Sequence, residues 1–299
     1  MSTFVYLSIQ DAVVAAAEAK VSVFDRGFLF GDAVFETLRT VPGPRLVDGG
    51  PHLARLRRSA ARVGIDVPWR DGELDAVLRR TCEATGADAH QVRVVVTRGE
   101  GPLVLDPRTA TRPTLVVIAR PLSLPDEAAY RRGIAVVIVG AARSADGLLD
   151  ATVKSANYLA NIQALRIAAE RGADDALLCA LSGTVTEGAT SNLFCVVDGT
   201  LVTPPLDGSL LPGITRGVVC GLARDLGLAV HERPLSPADV RRADEVFLTS
   251  SVRGIMAVRS VDGSPVGGRD GEGPLTRRLR HAYAARIEAL AREGTRRGG

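Results

Sequence analysis

The chain has 299 residues, 46% of them apolar, and balances 37 basic against 34 acidic side chains for a formal net charge of +3. A chain of that size buries a substantial core and is expected to form two domains. Its charges are spread along the sequence and its longest apolar runs, Leu115 to Ala119 and Ile134 to Ala142, are short, which argues against a nucleic-acid stripe, a membrane-surface patch or a membrane span.

In chain order, Phe4 to Leu7, Ala12 to Ala17 and Val21 to Phe24 read as strands, and Ala33 to Arg39 has the period-two alternation of another. A Pro42-Gly43-Pro44 turn reverses that strand. The first helix is expected from Pro51 to Gly64, with Leu53, Leu56, Ala60 and Val63 on one face, and a second from Asp71 as N-cap to Gly86. Gln91 to Thr97 and Thr114 to Ala119 are rich in β-formers. The loop between them, Arg98 to Pro113, is long enough to suggest a task at a site.

The stretch Arg120 to Asp126 changes composition and reads as the start of a linker. The domain boundaries follow: 1–120, a linker at 121–132, and 133–299. Ile134 to Val139 is a buried strand and Ala156 to Arg171 a helix closed by Gly172. Ala176 to Ala180, Asn192 to Val197 and Thr200 to Thr203 are strands, the last two joined by Asp198-Gly199, a hairpin signal. Gly213 to Leu226 is a helix, Glu245 to Thr249 and Ile255 to Ser260 are strands, and a last helix runs from Pro274 to about Arg292 before a Gly/Arg tail. The whole reads as two α+β domains. The four cysteines, Cys82, Cys179, Cys195 and Cys220, lack metal-site spacing and read as buried thiols of a reducing cytoplasm. No signal peptide is recognised, and a cytoplasmic protein with no metal, membrane or nucleic-acid partner is expected.

Only two lysines occur, Lys20 and Lys154. Arginine serves wherever a solvated positive charge suffices, but it stays protonated and forms no imine. A lysine kept mid-chain, at the mouth of an Ala-rich helix, is a candidate Schiff-base former; the plainer reading is a surface residue near a helix start. Tyr158, four residues on, would share its face in a helical start and offer a phenol to a ring hydroxyl. Thr186-Glu187-Gly188-Ala189-Thr190-Ser191-Asn192-Leu193-Phe194 is a polar run entering a buried strand, where Glu187 is suited to holding a pyridinium nitrogen protonated. Leu210-Leu211-Pro212-Gly213-Ile214-Thr215-Arg216 enters a helix and offers N–H groups to a phosphate, and Leu248-Thr249-Ser250-Ser251-Val252-Arg253-Gly254 offers further donors. Arg55 on the first helix would add a fixed positive charge. Lysine, carboxylate and phosphate cup form the set that pyridoxal phosphate requires, and the combination is more specific than its members.

With these pieces, and with Asp25-Arg26-Gly27-Phe28-Leu29-Phe30-Gly31-Asp32-Ala33-Val34-Phe35-Glu36 and Ala243-Asp244-Glu245-Val246-Phe247-Leu248, the sequence resembles the class IV, or fold type IV, pyridoxal-phosphate enzymes nearly end to end. The resemblance implies a smaller α/β N-terminal domain, a larger C-terminal pseudo-barrel domain, pyridoxal 5'-phosphate between them, and a homodimer. It implies Lys154 as the Schiff-base lysine, Glu187 at the pyridine nitrogen, and Arg55, Ile214, Thr215 and Ser251 at the phosphate. Tyr158 falls at the ring hydroxyl, one residue nearer the lysine than the tyrosine of branched-chain enzymes, with Ser191, Asn192 and Ser250 beside the cofactor. The carboxylate trap of D-amino-acid aminotransferases is replaced by Phe35, Leu103 and Leu105. Two pocket tyrosines of branched-chain enzymes read Phe30 and Gln91, while Arg93 fits their arginine.

Phe30, Phe35, Arg93, Val252 and Arg253 are therefore the expected substrate contacts, with Arg98 or Arg253 meeting a second carboxylate. The implied activity is transamination between a hydrophobic, branched-chain L-amino acid and 2-oxoglutarate. Alternatives are an aminodeoxychorismate lyase, a D-amino-acid or (R)-amine transaminase, and a binding protein that has lost the chemistry.

Overall fold

The computed structural model describes residues 2–141, 150–268 and 271–297. The chain divides into two compact units, one formed by Met1–Ser123, Val153–Asn157 and Ile287–Gly299, the other by Leu124–Thr152 and Tyr158–Arg286.

The first unit contains, in order, β1 (Phe4–Leu7), β2 (Ala12–Ala15), α1 (Arg26–Phe30), β3 (Ala33–Val41), β4 (Arg45–Leu46), α2 (Gly49–Arg62), α3 (Asp71–Glu83), β5 (His90–Thr97) and β6 (Thr114–Pro121). Its strands form one antiparallel sheet in the order β2-β1-β6-β5-β3-β4. Alternation along β3 sorts the faces. Val34 and Leu38 join Leu53, Leu56 and Ala60 of α2 in a core that Val92, Val94, Val96 and Leu115 complete. Phe35 and Thr37 lie on the opposite face, with Thr37 paired to Arg93 of β5.

Residues 21–24, expected as a strand, are turn and irregular chain. Val21, Val23 and Phe24 are exposed, so their β propensity has no sheet to pack against. The N-cap of α3 is Arg70 rather than Asp71, and α1 lies in a stretch too short to show helical periodicity.

The second unit contains α4 (Glu127–Arg132), β7 (Ile134–Ala141), α5 (Leu159–Glu170), β8 (Asp175–Cys179), β9 (Val185–Gly188), β10 (Asn192–Val197), β11 (Thr200–Thr203), α6 (Ile214–Asp225), β12 (Val230–Glu232), α7 (Pro237–Arg242), β13 (Glu245–Ser250), β14 (Gly254–Val261) and β15 (Ser264–Pro265), followed by the start of α8 (Pro274–Arg297), whose residues from Ile287 onward belong to the first unit. The path β10-β13-β14-β7-β8-β9 closes on itself through the pair Asn192↔Glu187, giving a six-stranded barrel without free edges. Leu177, Cys179, Val185, Leu193, Cys195, Val246, Leu248 and Val258 share one apolar cluster. The alternate β8 residues Ala176 and Leu178 pack instead with Ala164 and Ala168 of α5.

The expected linker at 121–132 carries the end of β6 and the whole of α4. Helix α5 starts at Leu159 rather than Ala156, because the residues around Lys154 are drawn into an extended pairing with β3. The last helix continues past Arg292 to Arg297, and Ala142 of the apolar run ending β7 lies outside the described residues. Among the described residues, no helix is long and apolar enough to cross a membrane and no cluster of His, Cys, Asp or Glu is built to hold a metal ion.

Candidate functional site

In the first unit the lysine is anchored through its main chain. Ser155 bridges Val34, the Phe35 N–H donates to the Lys154 carbonyl at 3.0 Å, and the Ala156 N–H donates to Ala33 at 2.8 Å. The Lys154 N–H donates to Ser59 Oγ of α2 at 3.2 Å. This corrects the expectation that a helical start puts Lys154 and Tyr158 on one face: Lys154 sits on an extended rung and Tyr158 is the N-cap of α5. The ammonium Nζ lies 4.6 Å from the centroid of the Phe35 ring, and the Arg93 guanidinium lies 3.7 Å from the same ring. Phe35 therefore carries two cations on its π system.

On the other face of β3, Glu36 stands between Val34 and Leu38 and is fully buried. It is satisfied from α2: Arg55 donates Nε to Oε1 at 2.7 Å and Nη2 to Oε2 at 2.9 Å, and His52 Nδ1 lies 2.7 Å from Oε2. Burial alone would raise the Glu36 carboxyl, but the hydrogen bonds and charges of Arg55 and His52 outweigh it and hold it down at about 2. Arg55 is thus fixed by a fork-to-fork pair rather than carried loosely on a helix surface.

Arg98 is placed otherwise than expected. Its guanidinium donates to both oxygens of Asp32, at 2.7 and 3.0 Å, and to the carbonyls of Val63 and Gly64 at the end of α2, at 2.8 and 2.5 Å. Four of its five N–H groups are committed, so it serves as a clamp and not as a mobile carboxylate receptor. Buried Arg26 shares Asp32 at 3.1 Å and donates to Val104 and Leu105 carbonyls at 2.6 and 3.1 Å, fixing the loop of 98–113. The side chains of Leu103, Leu105, Phe24, Phe28 and Phe30 are left exposed. Gln91 is tied to Arg120.

In the second unit, the candidate residues gather at one end of the barrel, where β9 turns into β10, β13 ends and β14 begins. Glu187 and Asn192 face each other across the closing pair, and Asn192 pairs on its other side with Thr249. The Leu211 N–H donates to Glu187 Oε2 at 3.3 Å, and Asn192 Nδ2 donates to the Leu211 carbonyl at 2.9 Å. These contacts seat the start of α6 beside the strand ends. Gly213 caps α6, and a side chain there would collide with the Asn192 amide; one at Gly188 would collide with Ser191 Oγ.

Ile214 and Thr215 open the helix with N–H groups that have no intrahelical acceptor. The hydroxyls of Ser191 and Thr249 are buried and have no hydrogen-bond partner among the described residues. Ser250, Ser251, Val252 and Arg253 form the tight link from β13 to β14. Free helix N–H groups, orphaned hydroxyls and glycines that admit no Cβ make a cradle with the chemistry of an oxyanion site.

Several contributors have little sequence signal. Asn161 donates to the Ala189 carbonyl at 2.6 Å and holds the turn after Glu187. Ser59 holds the lysine strand, and Asp175 contacts Arg253. Glu36 does leave a trace, a carboxylate at the core-facing phase of an otherwise apolar strand. His52 and Arg55 leave another, a helical i, i+3 pair whose partner is on a different element.

The amino-transferase class IV family model matches residues 33–261. A protein of Methanocaldococcus jannaschii provisionally named a branched-chain-amino-acid aminotransferase is 38% identical over 268 residues, 89% of this chain and 91% of that one. The D-alanine aminotransferase of Bacillus licheniformis is 32% identical with the same coverage, 89% and 91%. Among solved structures, the branched-chain aminotransferase of the thermophilic archaeon Thermoproteus uzoniensis, determined with norvaline, superposes with a TM-score of 0.87 at 29% identity, covering 96% of this chain and 95% of that one. The closed barrel, the single mid-chain lysine and likeness over nine-tenths of the length lead to one conclusion: the chain belongs to the class IV aminotransferases and has their two-unit α+β fold, fold type IV.

Proposed function

We propose that this protein is a pyridoxal 5'-phosphate-dependent aminotransferase that moves an amino group between a hydrophobic, branched-chain L-amino acid and 2-oxoglutarate. The observation that carries it is the oxyanion cradle of the second unit together with a lysine held on a rigid strand of the first. When bound, the cofactor supplies an electron sink for labilising the amino donor's α C–H bond.

The chain's own residues do the rest. Lys154 Nζ is the amine that holds the cofactor and, once released, takes and returns the α proton. Glu187 keeps the pyridine nitrogen protonated. Ile214, Thr215, Ser250, Ser251 and Arg55 hold the phosphate, Ser191 and Asn192 line the cradle, and Tyr158 meets the ring hydroxyl. Phe30 and Phe35 form the side-chain wall, Arg93 backs it by stacking on the Phe35 ring, and the backbone N–H groups of Val252 and Arg253 receive the α-carboxylate. An apolar wall suits an aliphatic donor. The exposed Phe24, Phe28, Leu103 and Leu105 support a homodimer.

The decisive experiment is the visible spectrum of purified holoenzyme before and after adding L-leucine without an oxo-acid acceptor. Loss of the yellow band is expected, and Lys154→Ala must abolish turnover while leaving the circular dichroism of a folded protein. A yellow protein bleached only by D-alanine would favour the second reading, a D-amino-acid donor, which the likeness to a D-alanine aminotransferase recommends. Leu103 and Leu105 stand against it.

A further inference from the structure

We infer that Arg253 is a specificity-determining residue that receives the distal carboxylate of a dicarboxylic substrate, and that Asp175 is the counter-charge that stores its guanidinium when the substrate side chain is apolar. This deepens the proposed transamination and rests on it. A ping-pong enzyme of that kind admits a leucine-like side chain in one half-reaction and a five-carbon dicarboxylate in the other. A fixed cation in the pocket would be left uncompensated by the first, and its absence would leave the second unmatched. The arrangement around Arg253 resolves the conflict.

Arg253 lies in the link from β13 to β14, at the barrel end that holds Glu187, Asn192 and the start of α6. Its main chain is fixed, because Tyr130 Oη of α4 donates to its carbonyl at 2.7 Å. Its side chain is not: the one contact recorded for the guanidinium among the described residues is Nη2 to Asp175 Oδ2 at 3.3 Å, and it is 31% exposed. Compared with Arg55 or Arg98, whose forks are gripped at several points, Arg253 is held by a single long hydrogen bond.

Asp175, by contrast, is rigid. It opens β8, is nearly fully buried, and its Oδ1 accepts from the Ala176 N–H at 2.8 Å. Burial raises its carboxyl while the Ala176 N–H and Arg253 oppose that. The pair is a fixed carboxylate with a swinging cation, which a ligand carboxylate can outcompete.

The test uses holoenzyme and two unreactive acids that differ only at the far end: glutarate, the carbon skeleton of glutamate, and 4-methylpentanoate, that of leucine. Their dissociation constants are read from perturbation of the cofactor's visible band. Arg253→Gln is expected to lower the affinity for glutarate relative to 4-methylpentanoate by roughly tenfold or more, the scale of one charge-assisted hydrogen bond. Arg253→Lys should restore part of it. Asp175→Asn should move the ratio the other way, toward glutarate, which a merely structural role would not do. An unchanged ratio in Arg253→Gln, or equal weakening of both acids, overturns the inference while leaving the aminotransferase reading intact. A wild-type protein whose spectrum responds to neither acid overturns both.

Discussion

Replacing Glu36 by Gln tests the energetic core of the first unit. The substitution keeps size and shape, but it deletes the negative charge that the buried Arg55 guanidinium grips with Nε and Nη2. Holding the Glu36 carboxyl at about 2 rather than the ordinary 4.5 corresponds to about 3 kcal/mol of folding free energy. Breaking one member out of a buried pair independently suggests roughly 3–5 kcal/mol, so the two routes agree. At neutral pH, Glu36→Gln should therefore lower stability by about 3 kcal/mol in denaturant titrations and Tm by roughly 5 °C.

The sign with pH follows from the depressed value. The contribution is fully present above the ordinary carboxyl range and is lost as pH falls from 4.5 toward about 2. The wild-type and variant curves should therefore converge in acid. A further arm separates charge from packing: Glu36→Gln with Arg55→Met removes the cation as well and should recover much of the loss. A single variant that loses less than about 1 kcal/mol, or a double variant no more stable than the single, would refute the reasoning.

Two further outcomes are expected. Gly213→Ala places a methyl group against the Asn192 amide at the cap of α6, so it should cost about 1–3 kcal/mol and weaken pyridoxal 5'-phosphate binding, measured by equilibrium dialysis; an unchanged dissociation constant would show that this cradle is not the phosphate site. All four cysteines are buried, and burial pushes the Cys82 and Cys195 thiols up to about 12, so an aromatic disulfide reagent at neutral pH should titrate no thiol in the native protein and four after denaturation; fast native labelling would contradict the packing.

What the sequence discloses is mostly local. Period-two alternation marks β3, and runs of β-forming residues mark β5, β10 and β14, each within about two residues of its observed bounds, while Asp198-Gly199 announces its hairpin because both residues take positive φ, 48° and 73°. The loop entering α6 is legible for a different reason, a Pro-Gly pair standing directly before a helix, where Gly213 takes an extended conformation at the cap. Long-range pairing is what stays hidden. Nothing near Lys154 reveals that its segment will be drawn into the edge of β3, so an Ala-rich stretch looks helical three residues too early. Arg98 looks available because Asp32 and the end of α2 are distant in sequence. β9, four residues long, is too short to declare itself, yet it closes the barrel.

The rung that carries Lys154 also limits how the protein can change by insertion or deletion. Only five residues, Val153–Asn157, belong to the first unit here, and the Ser155↔Val34 bridge fixes their register. Side chains on an extended segment alternate between faces, so adding a residue between Lys154 and Ser155 would either break the bridge or turn the amine away from the Phe35 ring. Point substitutions along this stretch leave the phase intact, whereas a change of length does not. Natural or engineered variation is therefore expected as replacement within the segment, with insertions confined to the chain on either side of it.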